Sequence, residues 1–257
     1  MPTVIHGPRY NRRVTCDTNP ENARSESDIA VNPRDPYNMV GASKRFTDLA
    51  SYAFSLAAYA TFDGGQTWTE TVLPLTDTDG RTYPSTTDPA VIFDDQGNVY
   101  VVALPWQGET GPNSGQTIGI SVYRSSDGGA SCSAPVVVAS GITNLYGGLP
   151  MPYGWPVFPG ASFRVITYGA DTTSGSHLVV VWADVREGVS RIYYRHSPNL
   201  GASWDGPASG QPLLTGALAS AADMQDFHPQ VATTPIGEIG CTFYEYGPTG
   251  GGEFPAT

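Results

Sequence analysis

Three polar residues recur at matching places in a repeated segment of this 257-residue chain. The segment that starts at Asp28 (Asp-Ile-Ala-Val) aligns with the one that starts at Asp88 (Asp-Pro-Ala-Val), and a third copy starts at His228 (His-Pro-Gln-Val). Two carboxyl groups and an imidazole that meet at one site could donate and accept protons during a reaction. A pair of carboxyl groups is also the arrangement that hydrolyses glycosidic bonds. The repetition equally fits a structural role, in which these side chains cap turns or bond neighbouring segments.

Further polar and aromatic side chains are predicted to lie on the same face of the molecule. Tyr244 and Glu245 lie on a strand near the end of the sequence and complete the candidate catalytic set with Asp28 and Asp88. Arginine binds carboxylates in a bidentate manner, and exposed aromatic rings stack on sugar rings. The candidate substrate-binding residues are Arg24, Arg45, Arg186, His228, Trp106 and Trp155.

Three short segments carry a shared turn sequence. They are residues 61–68 (TFDGGQTW), 125–132 (SSDGGASC) and 197–204 (SPNLGASW). The carboxylate or amide at the third place accepts hydrogen bonds from turn N–H groups, and the glycines permit positive φ. The near-constant spacing of the copies, with mostly strand-like sequence between them, indicates a repeat architecture of the propeller type. The residues predicted to build the turns are Asp63, Asp127, Asn199, Trp68 and Trp204.

These turns resemble Asp-boxes, the S/T-x-D-x-G-x-x-W turns of BNR repeats in sialidase-like β-propellers. The resemblance covers about residues 26–246 and implies that the turns lie on the face opposite the ligand site. It also implies a glycoside hydrolase with an arginine triad for a substrate carboxylate, a Tyr/Glu nucleophile pair and an Asp acid/base. The family's Arg-Ile-Pro motif is absent before the first turn, and the nearest string, Phe163-Arg164-Val165, lies elsewhere. Sialic acid is therefore not the predicted substrate.

The predicted fold is all-β: a single β-propeller domain of four-stranded blades with Asp-box turns. In the third blade we expect the inner strand pair at residues 161–166 and 177–183. The chain supplies three full blades and the inner half of a fourth, at about residues 26–75, 86–139, 160–215 and 226–246.

The half blade would leave one strand edge unpaired, which is an aggregation hazard in water. Strand-like pieces at residues 3–5 and 13–16 are candidates to complete it. They are predicted to pair with residues 236–246, either of the same chain or of a second copy in a homodimer. The remaining alternative is that the sequence is part of a longer product.

Composition excludes several classes of function. The net charge is −11 and Lys44 is the sole lysine, so the chain lacks the clustered basic face that nucleic acid binding requires. The sequence shows no run of 18 apolar residues that could span a membrane and no sustained helical period. A secreted or extracellular location is predicted, with a cytoplasmic one as the alternative.

No cofactor is predicted, and the sequence shows no Cys/His cluster typical of a metal site. Residues 77–80 (Asp-Thr-Asp-Gly) have the alternating carboxylates that suit calcium, with a plain polar turn as the favoured interpretation. Cys132 and Cys241 are predicted to be buried thiols, and Cys16 could pair only if the N-terminal segment packs near one of them.

Three functional hypotheses remain open at this stage. The first is a sialidase-like glycoside hydrolase that acts on glycans by carboxylate acid/base chemistry. The second is a non-catalytic propeller that binds sugar or protein. The third is a structural fragment with no pocket of its own, because a fold does not settle a function.

Overall fold

The computed structural model describes residue 14 and residues 23–51, 53–106, 119–234 and 236–247 of the chain. Within these ranges helical structure is confined to α1, Leu145–Gly148, and one 3-10 turn at Gly216–Leu218. The strands are β1 Arg24–Val31, β2 Met39–Asp48, β3 Ala53–Thr61, β4 Thr69–Val72, β5 Ser85–Phe93, β6 Val99–Trp106, β7 Ile120–Ser125, β8 Val136–Ala139, β9 Gly169–Ser174, β10 His177–Asp184, β11 Arg191–Ser197, β12 Gln211–Pro212, β13 Gln225–Thr233 and β14 Ile239–Tyr246.

Within each sheet, strands that are consecutive along the chain pair antiparallel. Three sheets have four strands, in the orders β1-β2-β3-β4, β5-β6-β7-β8 and β9-β10-β11-β12, and in the described residues β13 pairs with β14 alone. The inner strands β1, β5, β9 and β13 contact one another in that sequence. The sheets therefore have the form of propeller blades. The prediction of an all-β fold with four-stranded antiparallel sheets and very little helix is confirmed.

Apolar side chains fill the space between successive sheets. Val40 and Ala58 of the first sheet are buried with Val101 of the second. Tyr100 of the second sheet is buried in one cluster with Trp182 of the third. Both faces of the second sheet are covered, which explains why its strand β6 is a nearly continuous apolar run.

The three repeated turns have the same hydrogen bonds. In the first turn the N–H of Thr67 donates to Asp63 Oδ1 at 2.9 Å, and the Thr67 hydroxyl donates to Asp63 Oδ2 at 2.6 Å. The N–H of Gly65 donates to Thr61 Oγ1 at 2.9 Å. Because the hydrogen bonds from Thr67 favour the charged carboxylate, they lower the pKa of Asp63 to about 2.

The second and third turns repeat this geometry with one change of chemistry. Asp127 accepts from the N–H of Ser131 at 2.9 Å. Asn199 accepts from the N–H of Ser203 at 2.7 Å, and its Nδ2 donates to the Ser203 hydroxyl at 2.8 Å. The amide thus replaces the carboxylate by reversing the direction of one hydrogen bond.

The turns also join neighbouring sheets. Nδ2 of Asn38, in the β1–β2 turn, donates to the carbonyl oxygens of Thr61 and Gly128 at 3.0 and 2.9 Å. At Gly129 φ is +95°, and an added Cβ would lie 2.4 Å from a methyl carbon of Val40. Glycine is therefore required there for both backbone conformation and close approach.

The last position of the repeated turn is Trp68 in the first copy, Cys132 in the second and Trp204 in the third. Trp68 donates from Nε1 to the carbonyl of Gly65 at 3.2 Å. Trp204 is partly buried against the core between the second and third sheets. Cys132 takes the equivalent position, and burial raises the pKa of its thiol to about 11. Cys132 and Cys241 are free thiols, as predicted, but they are half-buried and not buried, while Cys16 lies outside the described residues.

The inner strand of the third sheet lies elsewhere than predicted. Strand β9 spans Gly169–Ser174 and pairs with β10 through a tight turn at residues 175–176. Residues 161–166 are irregular. The prediction followed the apolar sequence of that segment, whereas the true strand is polar (GADTTS) because its edge faces a cavity described below.

Some expectations fall on parts of the chain that are not described. The predicted strand at residues 3–5 and its pairing with β14 lie outside the described residues, as does the piece at residues 13–16 except Val14. In the portion that is described, no helix is long and apolar enough to cross a membrane.

The turn geometry predicts the outcome of a paired serine substitution. Ser125 is buried, and its hydroxyl accepts from the N–H of Gly129 at 2.9 Å, whereas the adjacent Ser126 is exposed. Ser125→Ala leaves that buried N–H without its acceptor and is expected to lower the free energy of unfolding by about 1–3 kcal/mol. Urea denaturation measures the change, with Ser126→Ala as the matched control. Equal stability of the two variants would contradict the structural role of the turn.

Candidate functional site

A bulge interrupts the inner strand of three sheets at the same place. Two residues on β1, Glu26 and Ser27, lie opposite the single residue between Ala42 and Lys44 on β2. Asp88 on β5 and His228 on β13 start equivalent bulges. The φ angles of Glu26, Asp88 and His228 are +56°, +49° and +49°. Left-handed conformations are costly for residues other than glycine and are concentrated at functional sites.

This register corrects the sequence alignment. Glu26, and not Asp28, is the structural equivalent of Asp88 and His228. The ungapped alignment failed because the first hairpin turn has seven residues (32–38), while the equivalent turns at 94–98 and 234–238 have five. Glu26 was therefore missed as a candidate.

The bulged segments surround a cavity of about 380 Å³ between the inner strands, which we call the axial cavity. All four sheets contribute to its wall, so the arrangement exists only when the sheets are packed together. Its polar lining residues are Glu26, Ser27, Asp28, Asp88, Tyr168, Asp171 and Gln230, and its other lining residues are Pro89, Ala90, Val91, Ile92, Ile166, Gly169 and Ala170.

Glu26 is held as a carboxylate. The Nζ of Lys44, the sole lysine, donates to Glu26 Oε1 at 2.8 Å, and the Thr87 hydroxyl donates to Oε2 at 2.6 Å. Burial alone would raise the pKa of Glu26, but the hydrogen bonds from Lys44 and Thr87 and the charge of Lys44 outweigh it and lower the pKa. Lys44 is itself buried, with Nζ 4.9 Å from the ring centroid of Phe54.

The pKa of Asp88 is shifted in the opposite direction to that of Glu26. Burial raises its pKa to about 7, and the negative charge of Glu26 adds to the shift. The Asp88 side chain also hydrogen-bonds to Glu26, which favours the protonated form of Asp88. The two carboxyl groups thus differ in protonation near neutral pH: Glu26 is ionised and Asp88 holds a proton for part of the time.

Asp28 follows the bulge on β1 and lines the same cavity. Its Oδ2 accepts from the N–H of Val91 at 2.7 Å. That N–H belongs to the edge of β5 that faces away from β6, so the carboxylate satisfies a backbone donor that the sheet leaves unpaired. A carboxylate has acceptor sites beyond the one that this N–H uses, and Asp28 lines the cavity.

The fourth side of the cavity carries neutral polar groups. The Nε2 of Gln230 donates to the hydroxyl oxygen of Tyr168 at 3.1 Å. The ring of Tyr168 lies 5.6 Å from that of His228, and burial followed by the charge of Arg164 lowers the pKa of His228. His228 is therefore neutral at neutral pH, and its ring has one hydrogen-bond donor and one acceptor without carrying a charge.

Two predicted substrate-binding arginines are paired with a carboxylate of their own sheet. Arg24 Nη2 and Arg45 Nη1 contact the two oxygens of Glu70 at 3.1 and 2.9 Å. Arg24 Nε also donates to the Tyr59 hydroxyl at 2.5 Å. Neither arginine lines the axial cavity.

Arg186 is likewise bound within the third sheet. Its Nε donates to Asp184 Oδ2 at 2.7 Å, and its guanidinium lies 4.1 Å from the ring centroid of Tyr193. Asp184 is fully buried, so this ion pair fixes the β10–β11 connection. Arg186 does not line the axial cavity.

Three further predicted residues, Glu245, Tyr244 and Trp155, do not line the cavity. Glu245 is exposed and accepts from the Ser220 hydroxyl at 3.0 Å, and Tyr244 is 61% exposed beside Phe227. Trp155 is 40% exposed, with its ring 5.7 Å from that of Tyr153. The Trp106 backbone ends β6, but its side chain lies outside the described part.

The segment considered for calcium is a hydrogen-bonded turn. Asp77 Oδ1 accepts from the N–H groups of Asp79 and Arg81 at 3.0 and 2.8 Å, and Oδ2 accepts from the Tyr83 hydroxyl at 3.1 Å. Across the described ranges, no group of three or more His, Cys, Asp or Glu side chains is arranged to hold a metal ion.

Comparison with solved structures shows the fold alone. Similar are a protein of unknown function from Dyadobacter fermentans (16% identity, TM-score 0.56), the Hadza microbial sialidase Hz136 (18%, 0.52) and the GH93 α-L-arabinofuranosidase of Fusarium graminearum in complex with arabinobiose (17%, 0.51). The alignments cover 89%, 81% and 91% of this chain but only 64%, 39% and 58% of those chains. No protein-family profile and no curated protein sequence matches the chain.

The raised pKa of Asp88 predicts a pH-dependent effect of Asp88→Asn on stability. The pKa of an unfolded Asp is about 3.9, and that of native Asp88 is about 7. Between these values the native state retains a proton that the unfolded state has released, so the contribution of Asp88 to stability falls as the pH rises. This loss is absent in Asp88→Asn. The free energy of unfolding of the variant relative to that of the wild type is therefore expected to increase by about 1–3 kcal/mol between pH 4.5 and pH 7.

Urea denaturation at several pH values provides the measurement. Asp95→Asn, in the exposed β5–β6 turn, is the control and is expected to show no such trend. A constant difference between Asp88→Asn and the wild type over this range would show that Asp88 titrates as an ordinary carboxyl.

Proposed function

We propose that the protein is a carbohydrate-active propeller, a glycoside hydrolase that acts at the axial cavity. The observation that carries the proposal is that Glu26 and Asp88 line one cavity and that their surroundings move their pKa values in opposite directions. Such separation assigns one carboxyl as the acid and leaves the other ionised. The likeness in fold to a sialidase and an arabinofuranosidase supports a glycan as the ligand.

In this proposal Asp88 is the general acid. It donates its proton to the glycosidic oxygen as the bond to the anomeric carbon breaks, and the leaving sugar departs as an alcohol. Glu26 is a positioning residue, because its charge and hydrogen bond keep the proton on Asp88 at neutral pH. Lys44 and Thr87 keep Glu26 ionised and so maintain that effect.

The carboxylate of Asp28 is the proposed second catalytic group. It lines the same cavity, and the hydrogen bond from the N–H of Val91 fixes its orientation. A carboxylate there can stabilise the positive charge that develops on the sugar, and it can attack the anomeric carbon or activate a water molecule. The roles first predicted for Asp28 and Asp88 are thus retained as proposals, with Glu26 added.

A neutral glycan is the proposed substrate. Arg24, Arg45 and Arg186 are each paired with a carboxylate away from the cavity, whereas four carboxyl groups line it. An acidic sugar would meet like charge there, which disfavours binding. A glycan substrate also favours a secreted or extracellular location for the protein.

A non-catalytic sugar-binding propeller is the second candidate function. The direct hydrogen bond between Asp88 and Glu26 places these two groups closer together than the carboxyl pairs of retaining or inverting hydrolases. If Asp28 does not supply the second catalytic group, the same cavity binds a sugar without cleaving it.

We also propose that the described sheets form one propeller domain. The pair β13–β14 corresponds to the inner half of a fourth blade. Further strands complete that blade, from residues 1–20 of the same chain, from a second copy in a homodimer, or from additional sequence.

Hydrolysis of a panel of neutral aryl glycosides tests the proposed function. Asp88→Asn and Asp28→Asn are each expected to lower kcat by at least about 100-fold, because each removes a group that acts in the transition state. Asp95→Asn is the control, since this exposed residue lies in the turn between β5 and β6. Binding of the glycosides without hydrolysis by the wild type would favour the sugar-binding alternative.

Glu26→Gln gives a separate test of the positioning role. Loss of the neighbouring negative charge lowers the pKa of Asp88, so the alkaline limb of the activity profile is expected to move to lower pH. An unchanged alkaline limb would show that Glu26 does not control the proton of Asp88.

A further inference from the structure

Asp171 is a cavity residue that the proposed mechanism leaves without a role. It lies on β9 and lines the axial cavity. Its Oδ2 atom is buried and has no hydrogen-bond partner among the described residues. A buried polar atom without a partner is destabilising, and native proteins seldom keep one without a function.

The other sheets provide an internal comparison for this position. Asp171 on the inner strand β9 pairs with Val180 on the second strand of its sheet. In the other three sheets the equivalent inner-strand position is Ile29, Val91 or Val231, each paired with its own second strand. Three of the four sheets therefore carry a β-branched apolar residue at this place. Packing alone does not require a carboxyl group there, since an apolar side chain serves the other three sheets.

The surroundings of Asp171 favour the carboxylic acid. Burial raises the pKa of Asp171 to about 8, and the charge of Asp28 contributes to the shift. The other titratable groups that line the cavity are Glu26 on β1, Asp88 on β5 and Tyr168, which precedes β9, and His228 of β13 lies beside the ring of Tyr168. At neutral pH Asp171 is therefore mainly neutral and carries one O–H donor and acceptor oxygens.

We propose that Asp171 is a specificity-determining residue that exchanges hydrogen bonds with a hydroxyl group of a neutral sugar in the axial cavity. This inference rests on the proposed function and names the contact that selects the ligand. A hydroxyl group both donates and accepts, so it matches a carboxylic acid on both counts. A ligand carboxylate would instead meet Asp171 beside Asp28, where negative charge is already concentrated.

Two substitutions separate a binding role from a structural one. Asp171→Asn keeps one donor group and one acceptor but cannot ionise. Asp171→Val introduces the side chain that two other sheets carry at the equivalent position, at Val91 and Val231, and it removes the buried polar group. A buried polar residue that is kept for binding costs stability, whereas a structural residue contributes to it. If Asp171 serves binding, Asp171→Val is therefore expected to unfold at the same temperature as the wild type or at a higher one.

Binding is measured by saturation-transfer NMR and isothermal titration with arabinobiose, cellobiose and, as an anionic comparison, 3′-sialyllactose. At pH 7 the wild type and Asp171→Asn are expected to bind a neutral disaccharide in preference to the anionic sugar. Asp171→Val is expected to bind that disaccharide about tenfold more weakly or worse, as one lost hydrogen-bonding partner predicts. Raising the pH from 7 to 9 should weaken binding by the wild type but not by Asp171→Asn.

The outcomes distinguish this inference from the proposed function. If Asp171→Val binds the disaccharide as the wild type does, or if it is destabilised, the inference is wrong whether or not the protein hydrolyses glycosides. If the wild type binds none of the neutral sugars, the inference is also wrong. If binding depends on Asp171 but no glycoside is hydrolysed, the inference holds and the hydrolase proposal fails.

Discussion

A left-handed bulge residue on the inner strand is the constraint on which the axial site depends. In three sheets the bulge places Glu26, Asp88 and His228 at equivalent positions with positive φ. Bulges change the direction of a side chain at the cost of ladder hydrogen bonds and, here, of backbone strain. Pro89 and Pro229 follow the bulge residues of the second and fourth sheets, at a place where no ladder N–H is needed. The packing between sheets holds this unfavourable backbone in place.

The bulge has an electrostatic consequence. It brings Glu26 close enough to Asp88 for the two carboxyl groups to interact, while Lys44 and Thr87 bind Glu26 from its own side. One proton is thereby concentrated on Asp88. The sole lysine of the chain is thus buried beside the candidate site, which explains why an acidic protein retains a buried cation there.

Local turn chemistry was the part of the fold that the sequence predicted best. The three repeated turns form because Asp63, Asp127 and Asn199 bond to residues four positions later, and such contacts depend on few distant atoms. Strand β9 was missed because hydrophobic patterning assigns strands by burial, whereas the edge of β9 borders a polar cavity. The sheets themselves were predictable from four-strand repeats.

The site was harder to predict because it depends on register. Asp28 and Asp88 were identified and both line the cavity, but Glu26 and Asp171 were missed. Two extra residues in the first hairpin turn shift Glu26 into the place assigned to Asp28. The arginines were chosen as ligands for a substrate carboxylate, yet Arg24, Arg45 and Arg186 bind carboxylates of the protein itself. The pairs of Arg24 and Arg45 with Glu70 connect residues far apart in sequence and cannot be read from motifs, whereas Asp184 lies only two residues before Arg186.

Glu26 and Asp88 titrate far apart because Lys44 and Thr87 bind the Glu26 carboxylate, whereas burial and the charge of Glu26 keep the proton on Asp88. Carbon-13 NMR of side-chain carboxyl groups, assigned with Glu26→Gln and Asp88→Asn, follows both residues from pH 3 to pH 9. Asp88 is expected to titrate near pH 7, and Glu26 is expected to be ionised already below the usual range for glutamate. Titration of both groups near pH 4, as in unperturbed carboxyls, would contradict this expectation.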